Sequence, residues 1–188
     1  MPVATGPGCA GLRWLGSVGS VGSVDGGAVS KAVAAATMPP VLARLVGDWA
    51  GAGWSRHRPG QRPRPLAQTE AVRSHLDGLL LTVEGCGTAA GSAEVVHRAF
   101  AVISGAGHGT RLRWTAYVAE GCTDTELTMH PDGFEWLLDA GPAGRTRFRA
   151  TLTSDRWRET GEQQGADGSW TIVFAMDLSR RPGPVLVR

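Results

Sequence analysis

A chain of 188 residues is long enough to bury one ordinary core, and a hydrophobic fraction of 42% is that of a folded globular domain. A formal net charge of +2 argues against nucleic acid or a membrane surface as partner. No run of about 18 apolar residues is present, which excludes a membrane-spanning helix. Lys31 is the sole lysine, so nearly all positive charge is arginine, a bias that fits GC-rich coding. Cys9, Cys86 and Cys122 are odd in number and widely spaced, which predicts reduced thiols and a cytoplasmic location rather than a disulfide framework.

In chain order, residues 1–37 come first. Their three-residue Gly-Ser-Val repeat, from Gly16 to Val24, has the composition of a flexible or disordered extension. The Ala-rich piece from Ala28 to Ala36 is too short for a helix stable alone. Two readings stand side by side: a start site placed too early, with the true start at Met38, or a lid that folds over a binding site.

From Met38 the pattern changes. Pro39-Pro40 opens a helical turn that Gly47 stops. Short β-type runs then follow, predicted at 47–56, 67–76, 79–88, 94–104, 110–119, 122–130, 133–140, 145–153, 156–163 and 169–179. Their connections are turn signals such as Pro131-Asp132-Gly133, Gly141-Pro142-Ala143-Gly144 and Gly165-Ala166-Asp167-Gly168. Ten meandering strands predict an all-β fold, an antiparallel up-and-down β-barrel over 38–181 with a tail at 182–188.

Alternation assigns the faces. Leu112, Trp114, Ala116 and Val118 oppose Arg111, Arg113, Thr115 and Tyr117. Phe148, Ala150 and Leu152 oppose Arg145, Arg147 and Arg149. In the last run Trp170, Ile172, Phe174, Met176 and Leu178 share one apolar wall.

The segment Leu45-Val46-Gly47-Asp48-Trp49 runs a helical turn into Gly-x-Trp on the first strand. This resembles the opening signature of the calycin superfamily, which includes lipocalins, fatty-acid-binding proteins and nitrobindin. The resemblance implies that Gly47 and Trp49 belong to a plug at one barrel end, with Arg180, or Arg181, packed over the indole. Such a cation–π contact is worth about 0.5–2 kcal/mol. Pro131-Asp132-Gly133-Phe134-Glu135-Trp136, Trp157 to Glu162, Asp167 to Trp170 and Phe174 to Leu178 are similar to pieces of bacterial lipocalin-like proteins.

Nitrobindin-like barrels hold haem by a histidine late in the chain. The histidines here are His57, His75, His97, His108 and His130, so the matching position is empty and haem is not expected, with His97 as the fallback axial ligand. No paired His or C-x-x-C spacing is present, so no metal site is expected. Glu159 alternates in phase with Trp157 and Gly161, which makes it either a structural partner of an arginine or a catalytic acid/base in an apolar pocket. Glu84, Glu126 and Glu135 are weaker carboxylate candidates. Arg113 and Tyr117 share a face and either bind a ligand oxygen or form an exposed wall. The expected ligand-binding set is Arg113, Tyr117, Trp114, Glu126, Trp157 and Trp170. The basic, Pro-rich stretch from Arg56 to Pro65 is a solvated loop or a rim that attracts anions.

The leading expectation is a barrel, monomeric or homodimeric, that binds a small, mostly apolar organic molecule without a cofactor. The rival is a cofactor-independent cyclase or isomerase of a natural-product, polyketide-like intermediate, with residues 1–37 as its lid. A haem-binding, nitrobindin-like role ranks last.

Overall fold

Side chains that alternate between apolar and polar along short runs build strands, and here they build ten. The computed structural model describes residues 38–56, 59–105, 111–119, 121–139 and 144–182. The expected extension 1–37, most of the tail, His57 and His108 lie outside them. A helical turn α1 (Pro40–Ala43) precedes β1 (Gly47–Ser55) and β2 (Arg64–His75). A 3₁₀ turn (Leu76–Gly78) leads to β3 (Leu80–Ala89), β4 (Val95–Ser104), β5 (Leu112–Val118) and β6 (Gly121–His130). The chain continues through β7 (Gly133–Asp139), β8 (Arg145–Leu152), β9 (Arg156–Gln164) and β10 (Trp170–Arg180).

Each strand pairs antiparallel with the next in sequence, and β1 closes on β10 from Trp49↔Arg180 to Ser55↔Phe174. The result is the expected closed up-and-down barrel, which leaves no edge strand. No helix among the described residues is long and apolar enough to cross a membrane.

One end of the barrel is sealed. Val41, Leu42 and Leu45 from the α1 region are buried against Trp49, Val72, Leu81, Ile103, Phe134, Trp157 and Leu178. The Trp49 indole Nε1–H donates to the Leu45 carbonyl at 2.7 Å, and the ring meets Trp157 edge-on with centroids 6.1 Å apart. Arg180 lies over Trp49 at 4.2 Å from the ring centroid. Its guanidinium also donates to the carbonyls of Val46 (2.6 Å), Ser154 (2.7 Å) and Arg44. Gly47 holds φ +137°, and a Cβ there would collide with the Arg180 guanidinium. Gly47→Ala therefore combines backbone strain with loss of that packing. We expect a cost of about 1–3 kcal/mol, read as a lower thermal midpoint by calorimetry.

The outer wall is a ladder of cross-strand ion pairs, which explains how so many arginines are used. Arg113 meets Asp124 at 2.6 Å, Arg147 meets Glu162 at 2.7 Å, Arg149 meets Glu135 at 2.5 Å and Arg156 meets Asp177 at 2.5 Å. Each pair joins neighbouring strands: Arg147–Glu162 and Arg149–Glu135 are directly opposite in register, and Arg113–Asp124 and Arg156–Asp177 are diagonal.

Two expectations need correction. Between Ile172 and Phe174 the β9–β10 register shifts, so Ile172 aligns with the outward Glu162 while Phe174 aligns with the inward Gly161. This bulge breaks the supposed single apolar wall of the last strand: Phe174, Met176 and Leu178 face in, Trp170 and Ile172 face out. Trp170 instead packs beneath Arg147, whose guanidinium stands 4.5 Å from its ring centroid. The second correction concerns the thiols. Cys86 is free but Cys122, at the start of β6, is disulfide-bonded, so an odd cysteine count did not mean three reduced thiols.

Candidate functional site

Along β2, Leu66, Gln68, Glu70 and Val72 occupy alternate positions and all are buried, while Ala67, Thr69 and Arg73 between and beyond them face out or lie at the surface. The inward phase thus carries two polar side chains between two apolar ones. Glu70 is 8% exposed and Gln68 3%. On β9, Trp157, Glu159 and Gly161 form the inward phase, and Glu159 is 7% exposed. Both carboxyls stand one pleat above plug residues, Val72 below Glu70 and Trp157 below Glu159.

Glycines make the room. Gly85 pairs with Glu70 and Gly87 with Gln68 on the neighbouring strand. A Cβ at Gly85 would lie 2.8 Å from a Glu70 carboxyl oxygen, and one at Gly87 would lie 2.8 Å from Gln68 Oε1. Side chains at 85 and 87 would therefore push Glu70 and Gln68 out of place. Glu159 is flanked in register by Ala150 and Met176, neither of which offers a polar partner.

The electrostatics follow from this setting. Burial pushes the Glu70 carboxyl up to about 7, with the Gln68 Nε2–H bond to its Oε1 at 2.7 Å pulling the other way. Burial pushes Glu159 up to about 8, and the neighbouring Glu70 charge adds to it. The Trp157 indole opposes this weakly, because its N–H faces the carboxyl side without reaching full hydrogen-bond geometry. The ion pairs of the described residues engage other carboxylates, and no arginine contributes to either shift. Two adjacent acids are thus held neutral at mildly acidic pH and gain charge near neutrality.

Other polar atoms in the interior are also left over. Gln68 Oε1 and the indole N–H groups of Trp114, Trp136 and Trp157 are buried without a hydrogen-bond partner. Trp114 stacks on Trp136 at 5.3 Å and Trp136 on Phe148 at 4.1 Å, with ring planes only 20° and 8° apart. The rings form a column packed face to face, with Phe134 also stacked on Trp114 at 6.0 Å, and the indole donors on its edges are unused.

Of the residues expected from sequence to form the site, Glu159, Trp114 and Trp157 face the interior. Arg113, Tyr117, Glu126 and Trp170 do not join them. Arg113 and Tyr117 lie on the outward phase of β5, where Arg113 is taken by Asp124. Glu126 pairs with Arg111 at 3.4 Å on the same outer wall. Glu84 is exposed and Glu135 is bound to Arg149, so neither is an interior acid. Gly47, Trp49 and Arg180 form the expected plug. Glu70 and Gln68 were not anticipated. Of the described histidines, His75 and His130 take the outward phase, and His97 alone takes the inward phase, opposite Gly87 toward the open mouth. No cluster of three metal-capable side chains occurs among the described residues.

A groove of about 750 Å³ is bordered mainly by outward residues of β2–β5 such as Ala71, Glu84, Arg98, Phe100 and Tyr117. Phe100 and Tyr117 contact each other there with centroids 6.4 Å apart. Trp49, Glu70 and Gly85 line it as well, so it reaches the strand segment that carries one of the buried acids.

A closed ten-stranded antiparallel barrel, plugged at one end and carrying buried acids, is an architecture compatible with ligand binding. Among solved structures, the chain resembles the crystal structure of Rv2717c from M. tuberculosis, with a TM-score of 0.59 and 15% identity, over 77% of this chain and 99% of that one. That likeness extends to the fold. A protein of unknown function from the DUF3598 family of Nostoc punctiforme aligns over 75% of this chain and 98% of its own, at 8% identity and a TM-score of 0.24, too low to carry an argument. No protein-family model and no curated protein sequence matches the chain.

Proposed function

We propose that this calycin-like barrel binds a small, mostly apolar organic molecule in its interior, oriented by Glu70, Glu159 and the surrounding indoles. The observation that carries this reading is the set of buried, unsatisfied polar atoms, Gln68 Oε1 and three indole N–H groups, in a barrel that also buries two acids. Native folds rarely leave such groups unpaired, because each costs about 1–3 kcal/mol. A ligand with matching donors and acceptors removes that cost, and the aromatic wall supplies apolar contact. Native mass spectrometry of the untagged protein from its own host is expected to show an adduct on the order of a few hundred Da. A protein that carries no adduct, and whose tryptophan fluorescence responds to none of a panel of apolar small molecules, overturns the reading.

A second reading rests on the two acids titrating near neutrality, at about 7 and about 8. Buried acids that titrate near neutrality suit general acid–base work, here a cofactor-independent cyclisation or isomerisation with Glu159 as the proton-transfer group. Once the ligand is known, Glu159→Gln separates the two. Binding retained with turnover reduced by about 100-fold or more marks an enzyme. Turnover unaffected, or absent in the wild type, marks a binding module.

A further inference from the structure

We propose that the groove across the outside of β2–β5 binds an α-amino acid with an aromatic side chain. Arg98 receives its carboxylate, Glu84 receives its ammonium, and its ring lies on Phe100 and Tyr117. This site is on the outer wall and is independent of the interior reading above.

Strand register builds the groove. Trp49, Glu70, Gly85 and Ala99 stand side by side across β1–β4. They belong to the inward phase, so this row turns its backbone rather than its side chains to the outside. The rows on either side point out. One carries Glu84, Phe100 and Tyr117, and the other carries Cys86 and Arg98. The two outward rows are two residues apart along each strand, roughly 7 Å, and form the banks of a trough with Gly85 and Ala99 in its floor. The floor amides are engaged in the barrel ladder, so the banks have to hold a ligand.

The charges on those banks differ from the rest of the wall. Every other outward arginine, aspartate and glutamate of the described strands has an ion-pair partner. Glu84 and Arg98 are exposed and have none, although they stand on the same diagonal that joins Arg113 to Asp124 and Arg156 to Asp177. One unpaired acid and one unpaired base on facing banks are the complement of a zwitterion, whereas a simple anion or cation would satisfy only one of them. An α-amino acid carries both charges on one carbon. The guanidinium can give its carboxylate two parallel N–H bonds, and the Glu84 carboxylate can accept from its ammonium.

The aromatic side chain follows from the same bank. Phe100 is directly opposite Glu84 in register, and Tyr117 is directly opposite Phe100. They are 38% and 47% exposed, with ring centroids 6.4 Å apart and planes tilted by 40°. A third ring set against this pair gains offset or edge contact and covers apolar surface left open to water.

The test is a titration of the full chain, followed by NMR, with L-phenylalanine, 2-phenylethylamine and 3-phenylpropionate, which share a ring and differ in head group. L-Phenylalanine is expected to bind about fivefold to tenfold tighter than either of the others, the preference that two exposed ion pairs give. Glu84→Gln should erase its advantage over 3-phenylpropionate, and Arg98→Gln its advantage over 2-phenylethylamine. Both side chains are exposed and unpaired, so both variants are expected to fold. The free thiol of Cys86, in register with Arg98, reports the location: saturating L-phenylalanine should slow its alkylation by iodoacetamide several-fold. Equal affinity for the three probes, an advantage retained in either variant, or unchanged alkylation of Cys86 overturns the proposal. So does failure of L-phenylalanine to bind at tens of millimolar. None of these outcomes bears on the interior reading, which native mass spectrometry tests separately.

Discussion

Thermal stability is expected to fall between about pH 5 and pH 8.5, by several kcal/mol in total, and the double variant Glu70→Gln, Glu159→Gln is expected to flatten that profile. In the unfolded chain both carboxyls titrate at the ordinary 4.5, whereas burial raises them to about 7 and about 8 in the fold. Below pH 4.5 both states hold their protons and these groups cost nothing. As pH rises past 4.5 the unfolded chain ionises while the folded chain must keep its protons, so the balance moves toward unfolding. Above about 8 both states are ionised and the loss is complete. Asp177 acts in the opposite sense, because Arg156 holds it below the ordinary carboxylate range, and its contribution is lost only on the acid side. The two windows are therefore distinct in one melting series. A wild-type midpoint that stays level from pH 5 to 8.5 would mean the two acids are solvated or paired, and the site described above would not exist.

Truncating the plug should have the other large effect. Trp49 is fully buried, packs on Trp157 and Arg180, and donates to Leu45. Trp49→Ala removes all of these and leaves a cavity at the sealed end, at an expected cost of about 3–5 kcal/mol. Trp49→Phe keeps much of the packing but leaves the Leu45 carbonyl without its donor, at about 1–2 kcal/mol. Arg180→Met should fall between the two, since three carbonyls lose their donors while the aliphatic stem is kept. Urea unfolding measures the series. Equal midpoints for wild type and Trp49→Ala would show that the end is held by other contacts.

The strands were legible because local alternation and turn residues carry them, and the observed bounds differ from the expected ones by a few residues at most. The plug was legible for a different reason: Gly47 and Trp49 stand two residues apart in a Gly-x-Trp motif, and Arg180 ends the last strand. Glu159 could be placed because Trp157 and Gly161 mark its phase. Glu70 could not, although its phase is bounded by Leu66 and Val72, because Ala67, Thr69 and Ala71 on the opposite phase are too bland to mark the outside. Arg113 and Glu126 misled because their partners, Asp124 and Arg111, are set by cross-strand position, which no local pattern reveals. Trp170 misled because one extra residue in β10 inverts the alternation.

That extra residue has a consequence for access to the interior. Chain length works here as a parity bit. With the bulge, the bulky Trp170 and Ile172 stand outside at the rim of the open end, and the residue between them that faces in is Thr171. With one residue fewer, the count is even again, and an indole and a branched aliphatic side chain swing into the mouth as a cork. Which side chains stand at this end of the barrel thus turns on the number of residues in one strand rather than on their identity.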